Sequence, residues 1–454
     1  MAASKAAQGK GFGLLYEMGC GKSLTAIAIM GALFQKGMIR RVLIAAPGSV
    51  VSVWAGELEK FAAFGYCFAP LLGTKRQRLK KLEEISSSDG SALQIIGINY
   101  ESTFRDGIFE ELIGFSPDLV ICDESQRIKN PKAQQSQAMQ DIGKLGKYRL
   151  ILTGTPMQQG VEDVFSQYKF LDPTVFGDNY YAYRARYCRL GGFGGKQIVG
   201  TKNEDELSKR MYSVAYRVTK AEALDLPPET FVTRTVVLSP KERKHYDEMR
   251  LSSFTELSVE KQVQATTVLT KLLRLQQIAG GFLRADDDET VTQIGTSKLD
   301  ALEDIVDDYV LAEQKKLVIF ARFLPEIDAI CNMLSQKNVR FGRIIGEVPL
   351  EERGRIVDDF QNNPKTLAFV AQLQTAGLGI TLHAASTAVF YSVGYNLADY
   401  QQALARIHRK GQRHPCTYIL LQAERSVDQK IMAALEKKSD IAKRICDDWQ
   451  QYFT

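Results

Sequence analysis

The chain has 454 residues, 45% hydrophobic and 24% charged, with a net charge of +5; it is too long for one hydrophobic core and suits two or three ordinary globular domains. The mild positive charge excludes a broadly basic surface, so a nucleic-acid contact must be a local patch. No apolar run spans a membrane, the N-terminus has no signal-peptide core, and seven scattered cysteines without a Cys-x-x-Cys pair read as reduced thiols of an intracellular protein.

Near the N-terminus the chain reads Gly13-Leu14-Leu15-Tyr16-Glu17-Met18-Gly19-Cys20-Gly21-Lys22-Ser23. A short apolar run precedes the glycines and a helical pattern (Leu24, Ile27, Ile29) follows, which is the strand–loop–helix context of a phosphate-binding loop. The glycines admit backbone N–H groups to phosphate oxygens, and the helix that starts near Lys22 aims the positive end of its dipole at the same anion. Lys22 is expected on the β- and γ-phosphates and Ser23 on a magnesium ion. Tyr16 stands where the full pattern has its first glycine. Taken alone, the stretch also fits a glycine-rich turn opening a core helix.

Residues 41–46 (RVLIAA) predict a strand, stopped by Pro47-Gly48-Ser49, and residues 50–64 a helix with Trp54, Leu58 and Phe61 on one face. Further strands are expected at 94–98, 118–122 and 149–152, and again at 317–320, 343–345, 367–370, 388–391 and 417–421. Runs that are apolar on both faces and separated by helices indicate parallel sheets covered on both sides, here two α/β domains. Between them lie an aromatic and basic tract (180–196), a mostly helical stretch (239–275) and the acidic run Asp286-Asp287-Asp288-Glu289, which reads as a solvated loop.

Asp123-Glu124-Ser125-Gln126 follows the third strand directly. An acid at the end of a buried strand beside a phosphate loop can hold magnesium, and its neighbour can deprotonate the attacking water. Asp123 is the expected metal residue and Glu124 the general base; alone, the pair reads as acids capping a helix. Thr153-Gly154-Thr155-Pro156 follows the fourth strand, and the hydroxyls of Thr153 and Thr155 are suited to couple the nucleotide site to a second surface; alone, it is a turn. In 402–412, Arg406 and Arg409 are three apart, which on a helix puts them on one face; two arginines presented to a phosphate supply the charge stabilisation of an arginine finger. The alternative is a basic, solvated helix end.

These residues resemble the SWI/SNF-type (Snf-two) family of superfamily-two helicase-like ATPases. Tyr16 to Ser23 is similar to D-E-M-G-L-G-K-T, and Asp123 to Gln126 to D-E-S/A-H, with Gln126 where histidine is usual. Leu152 to Gln158 resembles L-T-G-T-P-x-Q-N. Leu226-Pro227, Leu273 to Gln276 and Gly377 to Leu382 match later motifs, Tyr395-Asn396 matches W-N, and Gln402 to Gln412 matches Q-A-x-x-R-x-H-R-x-G-Q. The resemblance implies two RecA-like parallel-sheet domains in tandem with helical insertions. Residues 1–237 would form the first, with an insertion at about 174–225, and residues 238–454 the second, with an insertion at about 239–290. It implies ATP and Mg2+ as cofactors and clamping of ATP by the two domains. Gly19, Gly21, Leu24 and Gly379 join Lys22 and Ser23 in binding ATP, and Gln402 joins the catalytic set.

Double-stranded DNA is the implied partner, held through phosphates, with translocation along the duplex and no strand separation. Ser49, Tyr100 and Thr375 are carried over as DNA contacts. Lys75, Arg76 and Arg78 form a basic run that serves either DNA or a solvated helix face. The other readings are a strand-separating or annealing helicase and a nucleotide-gated DNA-binding subunit that does not hydrolyse ATP. The chain stops soon after its last motif, so a compact bacterial or phage-type form is expected: cytoplasmic, monomeric in isolation, and directed by a protein partner. Upstream of the phosphate loop the only glutamine is Gln8, outside the aromatic and proline pattern that reads adenine in the superfamily. Either that pocket is incomplete or the native start lies upstream, and poor discrimination of ATP from GTP is expected.

Overall fold

Each run that the sequence presents as a strand forms one in the computed structural model, which describes residues 10–87, 91–191, 197–259, 265–284, 291–378 and 380–447. The first sheet is built from β1 (Gly11–Tyr16), β2 (Arg41–Ala46), β3 (Tyr66–Pro70), β4 (Leu93–Asn99), β5 (Leu119–Asp123) and β6 (Tyr148–Leu152). After these come an antiparallel hairpin, β7 (Cys188–Gly191) with β8 (Gln197–Thr201), and then β9 (Ala215–Val218). The order across the first sheet is β3-β4-β2-β5-β6-β1-β9, with every neighbouring pair parallel.

A second parallel sheet follows. It uses β10 (Glu229–Val236), then, beyond a small hairpin of β11 (Phe282–Arg284) and β12 (Val291–Gln293), β13 (Leu317–Ala321), β14 (Arg340–Ile344), β15 (Thr366–Gln372), β16 (Thr387–Phe390) and β17 (Cys416–Ala423). Its order is β10-β17-β16-β13-β15-β14. The expected tandem of helix-covered parallel sheets is therefore present.

Alternation of side chains explains why these strands are apolar throughout. In β5, Val120 and Cys122 enter the core on one face and Leu119 and Ile121 the core on the other. In β13, Val318 and Phe320 do the same against Leu317, Ile319 and Ala321. A strand buried on both faces has no position for a polar residue until it leaves the sheet. In a parallel sheet all strands leave at the same edge, so β1, β6 and β5, which are neighbours, deliver the segments after Tyr16, Leu152 and Asp123 to one place.

Contacts divide the chain into two units, Met1–Asp225 with Lys438–Thr454, and Leu226–Lys437. The change of sheet thus falls before residue 237. β10 pairs with β17 along its whole length and belongs to the second sheet. Likewise 174–225 is not wholly helical: β9 within it extends the first sheet beside β1. Among the described residues no helix is long and apolar enough to cross a membrane.

Candidate active site

The loop between β1 and the helix Lys22–Gln35 turns on two glycines in the left-handed region, Gly19 at φ 87° and Gly21 at φ 83°. Only glycine adopts this conformation without steric cost. The helix has no side-chain cap and no acidic residue in its first turn. Nothing lies within 4 Å of a Cβ built on Gly21. A helix start without a side-chain cap fits an anion. Lys22 turns its ammonium back to the Tyr16 carbonyl at 3.1 Å. Leu24 sits exposed in the first turn.

Asp123 ends β5 and is 6% exposed. Its carboxylate accepts from the Trp54 indole N–H at 3.0 Å and from the Glu124 N–H at 2.9 Å. The sequence marked Trp54 only as a core residue of its helix; nothing local shows that its N–H would meet an acid 69 positions away. Burial, then the adjacent Glu124, push Asp123 up to about 7, and Lys22 opposes them. A buried carboxylate whose charge is under-compensated fits a site completed by a cation. Among the described residues no cluster of three or more His, Cys, Asp or Glu could hold a metal ion by itself.

Glu124 occupies the left-handed region at φ 51° and ψ 54°. Its carboxylate accepts from the Gln126 amide at 2.6 Å; the Gln126 oxygen accepts from the Thr153 hydroxyl at 2.7 Å, and Thr153 Oγ1 accepts from the Thr155 N–H at 3.0 Å. Gly154 allows this turn to approach the end of β1, since a Cβ there would stand 3.1 Å from the Tyr16 carbonyl oxygen. Below, the Ser125 hydroxyl donates to Gln167 at 2.7 Å, and the Gln167 amide donates to the Pro156 and Asp163 carbonyls at 2.8 and 2.7 Å. The two loops are thereby stitched together by side-chain amides. Sequence spacing could not foresee the partner of Gln126.

In the second unit the helix Leu397–Leu404 ends before the arginines, so Arg406 and Arg409 do not share a helix face as expected. The Leu404 carbonyl accepts both the His408 N–H at 3.4 Å and the Tyr418 hydroxyl at 2.7 Å, the Arg406 carbonyl accepts the Leu382 N–H at 2.9 Å, and the Ile407 carbonyl accepts the Gln412 amide at 3.2 Å. The arginines converge in another way. One guanidinium nitrogen of each donates to the Ile380 carbonyl at 3.2 Å. Gln402 is buried on the helix, and Gly379 lies outside the described residues.

Two of the expected DNA contacts are interior. Tyr100 is fully buried and its hydroxyl donates to the Asp123 carbonyl at 2.8 Å, bracing β4 against β5. Thr375 is buried and donates to the Gln372 carbonyl at 2.6 Å. Both side chains thus face the interior. Ser49 is half-exposed in the short helix Gly48–Val51. Lys75 and Arg76 are exposed at the start of the helix Lys75–Ser86, whereas Arg78 is held by the Gly73 carbonyl and Asn99 Oδ1, both at 2.9 Å.

The family model described as SNF2-related domain matches residues 1–280, and that described as Helicase conserved C-terminal domain matches residues 297–411. The chain is 28% identical over 437 residues to the mouse protein named DNA annealing helicase and endonuclease ZRANB3, which covers 94% of this chain and 38% of that one. It is 25% identical over 475 residues to the Drosophila persimilis protein named DNA repair and recombination protein RAD54-like, covering 95% and 60%. The chain thus spans less than two thirds of the length of either relative. A solved structure titled Sulfolobus solfataricus SWI2/SNF2 ATPase core in complex with dsDNA aligns with a TM-score of 0.44 and 25% identity, over 98% of this chain and 90% of that one.

Proposed function

The chain belongs to the SNF2-related family, and on that premise we propose that it is a DNA-dependent ATPase that translocates on double-stranded DNA and remodels DNA or protein–DNA complexes without separating strands. The observation that carries this reading is the meeting of the uncapped phosphate loop with Asp123 and Glu124 at one sheet edge, although 100 to 105 residues separate them in sequence. A phosphate cradle alone binds nucleotide; a carboxylate pair beside it adds a metal anchor and a base for water. The names of the relatives, a DNA annealing helicase and a DNA repair and recombination protein, favour DNA as the partner.

In this reading Lys22 and the loop N–H groups hold the phosphates. Ser23 and Asp123 hold Mg2+, which supplies charge neutralisation on the phosphate oxygens. Glu124 accepts the proton of the attacking water. Thr153 and Thr155, joined to Glu124 through Gln126, carry the state of the site into the turn after β6. Arg406 and Arg409 stabilise the charge that develops on the transferred phosphoryl group. Lys75 and Arg76 remain the exposed cations offered to DNA phosphates.

The test is ATP turnover measured with no DNA, with single strands and with duplex. Stimulation by duplex above both other conditions is expected; equal turnover in all three defeats the reading.

A further inference from the structure

Arg217 stands on β9 opposite Leu15 of β1, and no role above uses it. Its side chain is only 6% exposed. One guanidinium nitrogen donates to the carbonyls of Leu15 and Gly154, at 3.4 and 3.3 Å, and the other to a Glu17 carboxylate oxygen at 3.1 Å. The second oxygen of Glu17 accepts the Lys220 N–H at 2.8 Å, and the Glu17 N–H donates to the Val218 carbonyl at 2.9 Å. Leu224 closes over the loop, 3.9 Å from the Cβ position of Gly19.

These partners belong to three separate pieces of backbone. Glu17 opens the phosphate loop, Gly154 is the middle of the turn after β6, and Lys220 opens the short helix Lys220–Ala223, just ahead of Asp225, where the first unit hands over to the second. A loop with two left-handed glycines has many conformations available, and only the one with its N–H groups gathered accepts an anion. A buried guanidinium is costly unless its planar donors are matched, which makes the arrangement all-or-none.

We propose that Arg217, acting through Glu17, is a positioning residue for the phosphate loop: it sets the loop in its anion-accepting shape and ties that shape to the 217–224 segment by which the chain leaves the first unit. This rests on the loop being an ATP site. A nucleotide that tightens the loop then also tightens the segment leading out of the unit.

The experiment uses the full chain and measures affinity for a non-hydrolysable ATP analogue, duplex-stimulated kcat and KM, and thermal unfolding. Arg217→Lys keeps the charge but not the fork, and Glu17→Gln keeps the shape but not the charge at a half-exposed residue. Each is expected to weaken analogue affinity about ten-fold, as loss of a charge-assisted bond does, with KM rising more than kcat falls; the melting temperature is expected to drop as well, so affinity is read at a temperature where each variant is folded. The double variant is expected to be no weaker than the weaker single, because both changes cut the same link. Wild-type affinity in either folded variant, or losses that multiply in the double, overturns the inference. A wild-type chain that binds the analogue but shows no turnover defeats the hydrolase reading alone, and the variants' affinities still decide this one. A wild-type chain that does not bind the analogue overturns both.

Discussion

The side-chain amide of Gln126 donates to the carboxylate of Glu124 at 2.6 Å, while Glu124 holds a left-handed backbone conformation. That conformation costs on the order of 1 kcal/mol for a residue with a Cβ. The amide therefore fixes a carboxylate whose backbone is already committed to an unusual turn.

Glu124→Gln is expected to retain ATP binding and to slow turnover by orders of magnitude, since it removes the base and little of the binding. Gln126→Ala is expected to lower kcat by about 10–100-fold with little change in KM, because the base loses its orientation and keeps its charge. Steady-state kinetics with saturating duplex separates the two. Near-normal turnover in Glu124→Gln would reassign the base.

Arg406 and Arg409 share the Ile380 carbonyl, so each is oriented by the same acceptor. Arg406→Ala and Arg409→Ala are expected to reduce turnover by roughly 10³–10⁵, the range for arginine fingers, with a modest loss of ATP affinity. Comparing affinity for the ATP analogue with turnover in each variant checks this. Normal rates in both would place the finger elsewhere.

Glu326 offers a test of the second unit that does not depend on activity. Burial pushes its carboxyl up from 4.5 to about 7, against the opposing pull of Lys298 and the Ser392 hydroxyl, and its Oε1 is buried without a hydrogen-bond partner. Between those two values the folded state keeps a proton that the unfolded chain has released. Stability therefore declines as pH rises from about 4.5 to about 7, by on the order of 3 kcal/mol from this group. Glu326→Gln should remove that decline, so denaturation of both proteins at pH 5 and pH 8 should favour the variant more at pH 8. A difference that does not move with pH would mean that Glu326 ionises freely in the folded state.

Lys75 and Arg76 are exposed, while Arg78 on the same helix is engaged by Asn99. Replacing Lys75 and Arg76 with alanine is expected to weaken duplex binding equally across sequences and to reduce the slope of log affinity against log salt by roughly 1 for each DNA phosphate no longer neutralised. Binding isotherms across a salt series read this. An unchanged slope would assign the pair to a solvated helix face.

The amino-acid sequence by itself determined the parallel-sheet cores, the phosphate loop and the acidic pair after β5. Each is local: apolar runs buried on both faces, glycines where φ is positive, and a carboxylate at the first position free of the sheet. The edge strands β3, β9 and β10 were not legible as strands; no residue of β3 is fully buried. β9 is short, and most of β10 is exposed, so neither carries a continuous apolar run. Tertiary structure alone decided which polar groups are used up inside. The hydroxyls of Tyr100 and Thr375 face backbone carbonyls, the Trp54 indole meets Asp123, and the Tyr418 hydroxyl and Leu382 N–H meet the carbonyls of Leu404 and Arg406. Arg217 was invisible for the same reason: a hydrogen-bond partner is a property of position in space, and parallel strands bring together residues that sequence spacing keeps some 200 positions apart.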